Sequence, residues 1–266
     1  MKRNLSILLF LLCATTLFAD TNRNPFGPWY RQDYEEKPWW IDGFLGWGIE
    51  PTYPGSDETE GEIFPFLRFS VKDKWNNRYA VYPIGVSGSF DITEDFNFFV
   101  AIEYEAGGDG ESADFEGLDE IDDTLDGNFQ LSYKWDSFYV YGSLQPDILG
   151  RGKGLVWFTG AGYDWQITDR VAFRQRLGLT GGDKTHMETE FNITAQESER
   201  TGLPEYNPKA GIKNIEYVVQ FQYDFTEHFS FFTLIQLEQY LGEAADSPLV
   251  MSDLTAASVA GVFIRW

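Results

Sequence analysis

Between Ile215 and Leu241 apolar and polar residues alternate with a period of two. Ile215, Tyr217, Val219, Phe221, Tyr223 and Phe225 occupy the odd positions, and Glu216, Val218, Gln220, Gln222 and Asp224 fall between them. Successive side chains of an extended strand point to opposite faces, so this spacing predicts one greasy, aromatic face and one mostly polar face. After Thr226-Glu227-His228 the rhythm resumes. Phe229, Phe231, Thr233, Ile235, Leu237 and Leu241 share one face, and Ser230, Gln236 and Glu238 take the other, with Phe232 and Leu234 blurring the polar side. The pattern predicts two strands of about a dozen residues joined by a tight turn. Globular strands have a mode of about 5–6 residues, whereas a tilted membrane-spanning strand needs about 9–11. The length points to a membrane barrel.

The same period recurs at 42–53, 62–72, 77–90, 96–106, 127–136, 137–147, 154–168, 170–180 and 255–266. Short turns at 91–95, 136–137, 168–169 and 226–228 alternate with longer links at 107–126, 147–153, 181–212 and 242–254. Short connections on one side and long ones on the other are the periplasmic-turn, surface-loop arrangement of outer-membrane barrels, and they put the C-terminus on the periplasmic side. The segments number eleven, while single-chain bacterial barrels normally have an even count. The expected fold is therefore an all-β, transmembrane antiparallel β-barrel of about twelve strands, within a range of about ten to fourteen. The missing strand is expected in the N-terminal arm, or in an early segment around 54–75 that is split or lies inside the barrel.

Composition agrees with this picture. The chain is 43% hydrophobic and 17% aromatic with 26 Gly, and its mean hydropathy is only -0.32. A soluble sandwich shares that composition, so strand length decides between them. No run after the first twenty residues has the about 20 apolar residues of a membrane-crossing helix. Lys2-Arg3, the apolar stretch Leu5 to Phe18 and Ala19-Asp20 predict a secretory signal at 1–19. An N-terminal periplasmic arm at 20–41 and the barrel at 42–266 follow it. Trp39 and Trp40 suit either a membrane interface or a free periplasmic tail. Cys13, the single cysteine, lies inside the signal, so the processed chain is expected to have neither disulfide nor thiolate metal site. The net charge of -22 leaves no basic stripe to neutralise phosphates, which argues against a nucleic-acid partner.

Candidate chemistry is sparse. The link at 107–126 carries Asp109, Glu111, Asp114, Glu116, Asp119, Glu120, Asp122, Asp123 and Asp126, hard oxygen donors without the spacing of a twelve-residue calcium loop. His186 and His228 are the only histidines, and neither is flanked by a serine motif that would supply an activated nucleophile. No glycine-rich phosphate loop or zinc-ligand spacing occurs, so no catalytic residue, cofactor or metal is expected. Glu103, Glu105, Gln130, Lys134, Arg174, Arg176, Gln220, Gln222, Gln236 and Glu238 are expected to face inward. They would make either a packed polar interior or a narrow cation-preferring pore.

Several stretches resemble the MipA/OmpV family of outer-membrane proteins, also described as MltA-interacting proteins. Tyr53-Pro54-Gly55-Ser56-Asp57 with Phe64-Pro65-Phe66, the run from Phe115 through Gly117 and Leu118 to Ile121, and Gly202-Leu203-Pro204-Glu205-Tyr206 come in family order. Leu241 through Asp246-Ser247-Pro248-Leu249 matches the family's ending except for an arginine. Glu190-Phe191-Asn192-Ile193 departs from an aromatic family motif. The resemblance implies an outer-membrane scaffold that brings a lytic murein transglycosylase together with a bifunctional murein synthase. Other members are described as surface antigens or adhesins, and a small pore is the further alternative. Outer-membrane lipid, lipopolysaccharide and the barrel-assembly machinery are the remaining expected partners. A terminal strand ending in Trp266 resembles the signal read by that machinery. Physically, Pro54-Gly55 suits the centre of a type II turn, with Ser56 and Asp57 bonding nearby backbone. Asp246 is expected to accept from nearby N–H groups while Pro248 holds Ser247 extended.

Overall fold

Twelve strands pair antiparallel with their sequence neighbours and the last pairs with the first, closing a barrel in the computed structural model. The structure describes residues 37–108 and 117–266; the expected signal at 1–19 and most of the arm at 20–41 lie outside the described residues. The strands are β1 (Trp39–Pro51), β2 (Thr59–Lys72), β3 (Arg78–Tyr82), β4 (Gly85–Asp91), β5 (Phe96–Glu105) and β6 (Thr124–Trp135). They continue with β7 (Phe138–Pro146), β8 (Leu155–Thr168), β9 (Val171–Gly182), β10 (Gly211–Asp224), β11 (Phe229–Tyr240) and β12 (Leu254–Arg265).

The twelfth strand comes from a split, but not where the alternation placed it. The stretch 54–75 holds one strand, β2, of 14 residues. The segment at 77–90 is instead two short strands of 5 and 7 residues folded about Pro83-Ile84. Proline has no N–H to give a ladder, and Val86 and Val81 pair across the turn, so the period of two runs through the hairpin unbroken. That continuity hid the turn. β1 also starts at Trp39, three residues before the expected start at 42, with Trp39 half exposed and Trp40 turned inward.

Outside, Leu45, Ile63, Leu67, Leu131, Val140, Leu177, Ile235 and Val262 are exposed along the wall. Trp39, Trp75, Trp135, Trp165 and Trp266 are exposed toward the end that carries the connections 73–77, 92–95, 136–137, 169–170 and 225–228. We call this the turn end. An apolar band bounded by aromatic rings is the surface that a barrel presents to lipid. The opposite, loop end carries 52–58, 83–84, 106–123, 147–154, 183–210 and 241–253.

Inside, the barrel is filled. Near the turn end, Asp42 accepts from Arg265 Nε (2.5 Å) and Arg68 Nη2 (2.6 Å), and Asp164 accepts from Arg174 Nε (2.6 Å) and Lys134 Nζ (3.1 Å). The middle of one wall is apolar: Phe44, Phe64, Val218, Phe232, Leu234, Val259 and Phe263 are buried against each other, with Phe66 beside them. Phe232 and Leu234, which blurred the alternation of β11, are members of this cluster. On the facing strands Gln130, Ser132, Tyr139, Tyr141 and Ser143 are also buried.

Candidate functional site

The long loops fold into a cap over the loop end. The link at 181–212 holds α1 (Lys184–Phe191) and α2 (Ala195–Thr201), and the link at 242–254 holds α3 (Gly242–Ala245). Asp183 starts α1 by accepting from His186 N at 2.8 Å. Thr194 and Glu197 form a capping box that starts α2, each side chain accepting from the other's backbone N–H. Gly202 ends it at φ 77°, the left-handed conformation that a glycine adopts without strain.

Two apolar clusters fasten the cap. Met187, Phe191, Tyr240 and Ala244 form the first, joining α1 and α3 to the rim of β11. Ile193 and Leu249 form the second, packed with Tyr53, Leu118, Leu203 and Tyr206. The second cluster thus gathers residues from four motifs that lie far apart in sequence: Tyr53, Leu118, Leu203 with Tyr206, and Leu249. Polar contacts follow the same lines. Tyr206 and Ile193 exchange backbone hydrogen bonds of 2.9 and 3.0 Å, and the Tyr206 hydroxyl donates to Glu243 O at 2.6 Å. Burial, with the carboxylates of Glu243 and Asp246 nearby, pushes the Tyr206 phenol up to about 12. Ser247 Oγ donates to Phe191 O at 2.9 Å. Asp119 N donates to Glu197 Oε1 at 3.0 Å, and Arg200 Nη2 meets Asp119 Oδ1 at 2.6 Å. Gly117 lies next to them; a Cβ there would come within 3.2 Å of Arg200.

The Tyr53 turn is of the expected kind: Ser56 N donates to Tyr53 O at 3.0 Å and Gly55 has φ 86°. Ser56 Oγ accepts from Glu58 N at 3.1 Å, and Gly55 O takes both Met251 N and Ser252 N. Asp57 stands exposed beside this turn. At 246–248 the working residue differs from the expected one. Ser247 accepts from nearby backbone, taking Leu249 N at 3.2 Å, while Asp246 closes α3 in helical geometry through its own backbone N–H. Pro248 follows the helix end, where it prevents continuation.

Charged residues tie the cap to the wall. The register of β9 and β10 shifts between Ile212 and Asn214, and the extra residue, Lys213, pairs with Glu190 of α1. Burial alone would raise the Glu190 carboxyl, but Lys213 and His186 outweigh it and hold it below the usual range. Glu190 is the position that departs from the aromatic family motif; here it carries the charge that anchors α1. His186 Nε2 lies 3.2 Å from Glu190 Oε1 and its Nδ1 3.3 Å from Lys153 O. Lys153 Nζ in turn pairs with Glu105 at 2.9 Å. At the other end, His228 stacks on Trp266 (4.8 Å between centroids) and its Nδ1 lies 2.9 Å from Arg265 O. Of the acidic link, Asp109, Glu111, Asp114 and Glu116 lie outside the described residues; Asp123 accepts from Tyr104 and Gly107. Among the described residues, no acidic, histidine or cysteine cluster is arranged to hold a metal ion.

Sequence reasoning missed Asp183, Lys213 and the role of Glu190. It also passed over Thr194-Ala195-Gln196-Glu197, whose capping-box spacing was a signal for α2.

No curated protein matches the sequence. Solved structures that resemble the fold include the NanC porin, at 9% identity over 84% of this chain and 98% of that one, with a TM-score of 0.42. A FadL homologue from Pseudomonas aeruginosa aligns at 8% identity over 86% and 89% (TM-score 0.41), and OprD from the same organism at 11% over 85% and 65% (TM-score 0.37). The family model described as MltA-interacting protein MipA matches residues 44–266, which is nearly all of the barrel and its cap, so the chain belongs to the MipA family.

Proposed function

We propose that this outer-membrane barrel acts by binding, as a scaffold for murein-remodelling enzymes, a lytic transglycosylase and a bifunctional synthase, and performs no catalysis itself. The observation that carries the reading is the family match over 44–266 under the description MltA-interacting protein. Geometry adds which face is available. Tyr53, Leu118, Leu203 and Tyr206 are spent on the cap's own packing, whereas the turn end exposes Trp75 (71%) and Trp135 (75%) at its short turns. With the turn end in the periplasm, those turns are the surface that murein enzymes would meet. Around the two histidines lie two carboxylates, backbone carbonyls and an indole, which is not the base-and-nucleophile arrangement of a hydrolase.

The test is crosslinking in intact envelopes followed by purification of the barrel. Recovery of a transglycosylase or synthase, reduced by Trp75→Ala with Trp135→Ala and unaffected by deleting the tip of a long loop, is the expected result. The folded cap favours one second reading, a surface adhesin. If neither enzyme is recovered and loop deletions abolish attachment instead, that reading replaces the scaffold.

A further inference from the structure

The barrel wall is incomplete beside β2. Its pairing with β3 covers only Phe69–Lys72, because the β3–β4 hairpin turns back at Pro83-Ile84. On the other side β2 pairs with β1 along its whole length. Among the described residues, no strand lies against the outer edge of Thr59–Leu67, and Pro65, which has no N–H to donate, falls within it. This edge stands inside the greasy band. Ile63 is 66% exposed and Leu67 59%, and they pair with Trp47 and Gly43 on a β1 face that also exposes Leu45. Backbone groups left open at that depth are tolerated only where they border a polar space or are covered by protein.

The inner side of the edge has a distinctive lining. Phe66 lies 6.3 Å from Tyr82 between ring centroids, and Tyr82 donates to Glu103 at 2.8 Å. Further toward the loop end come Glu62, Glu60 and, opposite Glu60 in register, Glu50. Elsewhere in the interior, acids have partners: Asp42 pairs with Arg68 and Arg265, Asp91 with Arg78, Asp164 with Arg174 and Lys134, Glu105 with Lys153 and Glu216 with Arg176. Glu103, Asp224 and Glu238 accept hydrogen bonds from neutral side chains. Glu50, Glu60 and Glu62 have no ion pair or hydrogen bond among the described residues, although Glu50 is only 8% exposed. Instead, the carboxylates of Glu62 and Glu60 repel that of Glu50. A buried, unpartnered carboxylate facing two others is costly unless it takes up a proton or a cation joins it, and a cation lets all three acids stay charged.

We propose that this gap is a lateral portal that seats an organic ammonium bearing an apolar chain, taken from the membrane side. The ammonium rests among Glu50, Glu60 and Glu62, and the chain leaves through the gap beside β2, past Ile63 and Leu67, into lipid. The rings of Phe66 and Tyr82 border the path, where aromatic faces favour a cation. An ammonium suits the site better than a metal ion, because these acids are not arranged as a ligand set for one.

The test uses the full chain in phosphatidylcholine nanodiscs, titrated calorimetrically with decyltrimethylammonium against empty discs. A saturable site present only with protein is expected, weakened about tenfold or more in the E50Q/E62Q variant, since charge-assisted contacts are lost. Heat-modifiable migration on gels shows whether that variant forms its barrel. A comparison needing no variant is decyl maltoside, which has the same chain and no charge. Equal binding of the two detergents, heats identical to empty discs, or an unchanged affinity in a folded E50Q/E62Q barrel each overturn the proposal. Tetramethylammonium binding as tightly as the decyl compound would overturn the lipid-side route. None of these results depends on whether a murein enzyme docks at the turn end.

Discussion

At the residue scale, the seam between the first and last strands rests on a few side chains. Asp42 on β1 is fully buried and joins Arg265 of β12 to Arg68 of β2. Changing Asp42→Asn leaves two buried guanidinium groups without their countercharge and is expected to cost about 3–5 kcal/mol. The pairs themselves contribute mostly register, since desolvating three charges offsets much of their attraction. A triple change of Asp42→Leu with Arg68→Met and Arg265→Met is therefore expected to be much less destabilising than Asp42→Asn alone. Urea unfolding in detergent micelles measures both; a triple variant weaker than the single one contradicts this account. A second seam position needs glycine for space. A Cβ on Gly261 would stand 2.4 Å from Gly46 Cα on β1, so Gly261→Ala is expected to cost about 1–3 kcal/mol or to slow folding in the same assay.

At the element scale, the cap's helices are too short to stand alone and depend on their ends. Thr194→Ala removes one half of the α2 capping box and is expected to lower local stability by about 1 kcal/mol, read as faster amide exchange over 194–201. Acid acts on the same elements. Burial raises the carboxyl of Glu197, but hydrogen bonds from Asp119 N, Thr194 N and the Thr194 hydroxyl outweigh it, so its folded pKa lies below its ordinary value. Glu190 is lowered through Lys213 and His186. Groups depressed on folding add stability that is complete above their unfolded pKa, about 4.3, and is lost as pH falls through the folded value. Protection against exchange over 194–201, taken relative to the intrinsic rate at each pH, is therefore expected to be constant from neutrality to about pH 5 and to fall below about 4.3. Over 184–192 it already weakens below about 6.5, because burial holds the His186 imidazole below its ordinary value. Glu197→Gln should flatten that response in α2 and leave it in α1; a loss of protection in α2 already complete at pH 6 would point to other groups. Some of this was open to the sequence: the Thr-x-x-Glu spacing and Gly202 mark both ends of α2. The tether was not. Lys213 faces Glu190 only because a bulge turns one residue of β10, and no pattern of apolar positions announces a bulge.

At the scale of the whole molecule, alternation revealed the barrel because a wall with lipid on one side forces a period of two. It revealed less of the inside, where the polar rule is broken. Phe44, Phe64, Phe232 and Phe263 point into the lumen, and seen singly each looks like a lapse in the pattern of its own strand. Only closure of the sheet brings them together. The consequence concerns transport. Three layers now stand in series along the axis: ion pairs toward the turn end, the apolar cluster at mid-height, and the cap on the loop end. Each is expected to exclude water for a different reason, so removing one should leave the others. We expect the wild-type protein to show no steady conductance in planar bilayers, and a cap variant lacking 184–206 to remain closed as well. Phe232→Ala with Leu234→Ala in the cap-deleted chain clears the middle layer, and this combination is expected to pass ions where neither change alone does. Conductance steps from the cap deletion by itself would mean that the interior aromatics do not seal the lumen and that the cap is its gate.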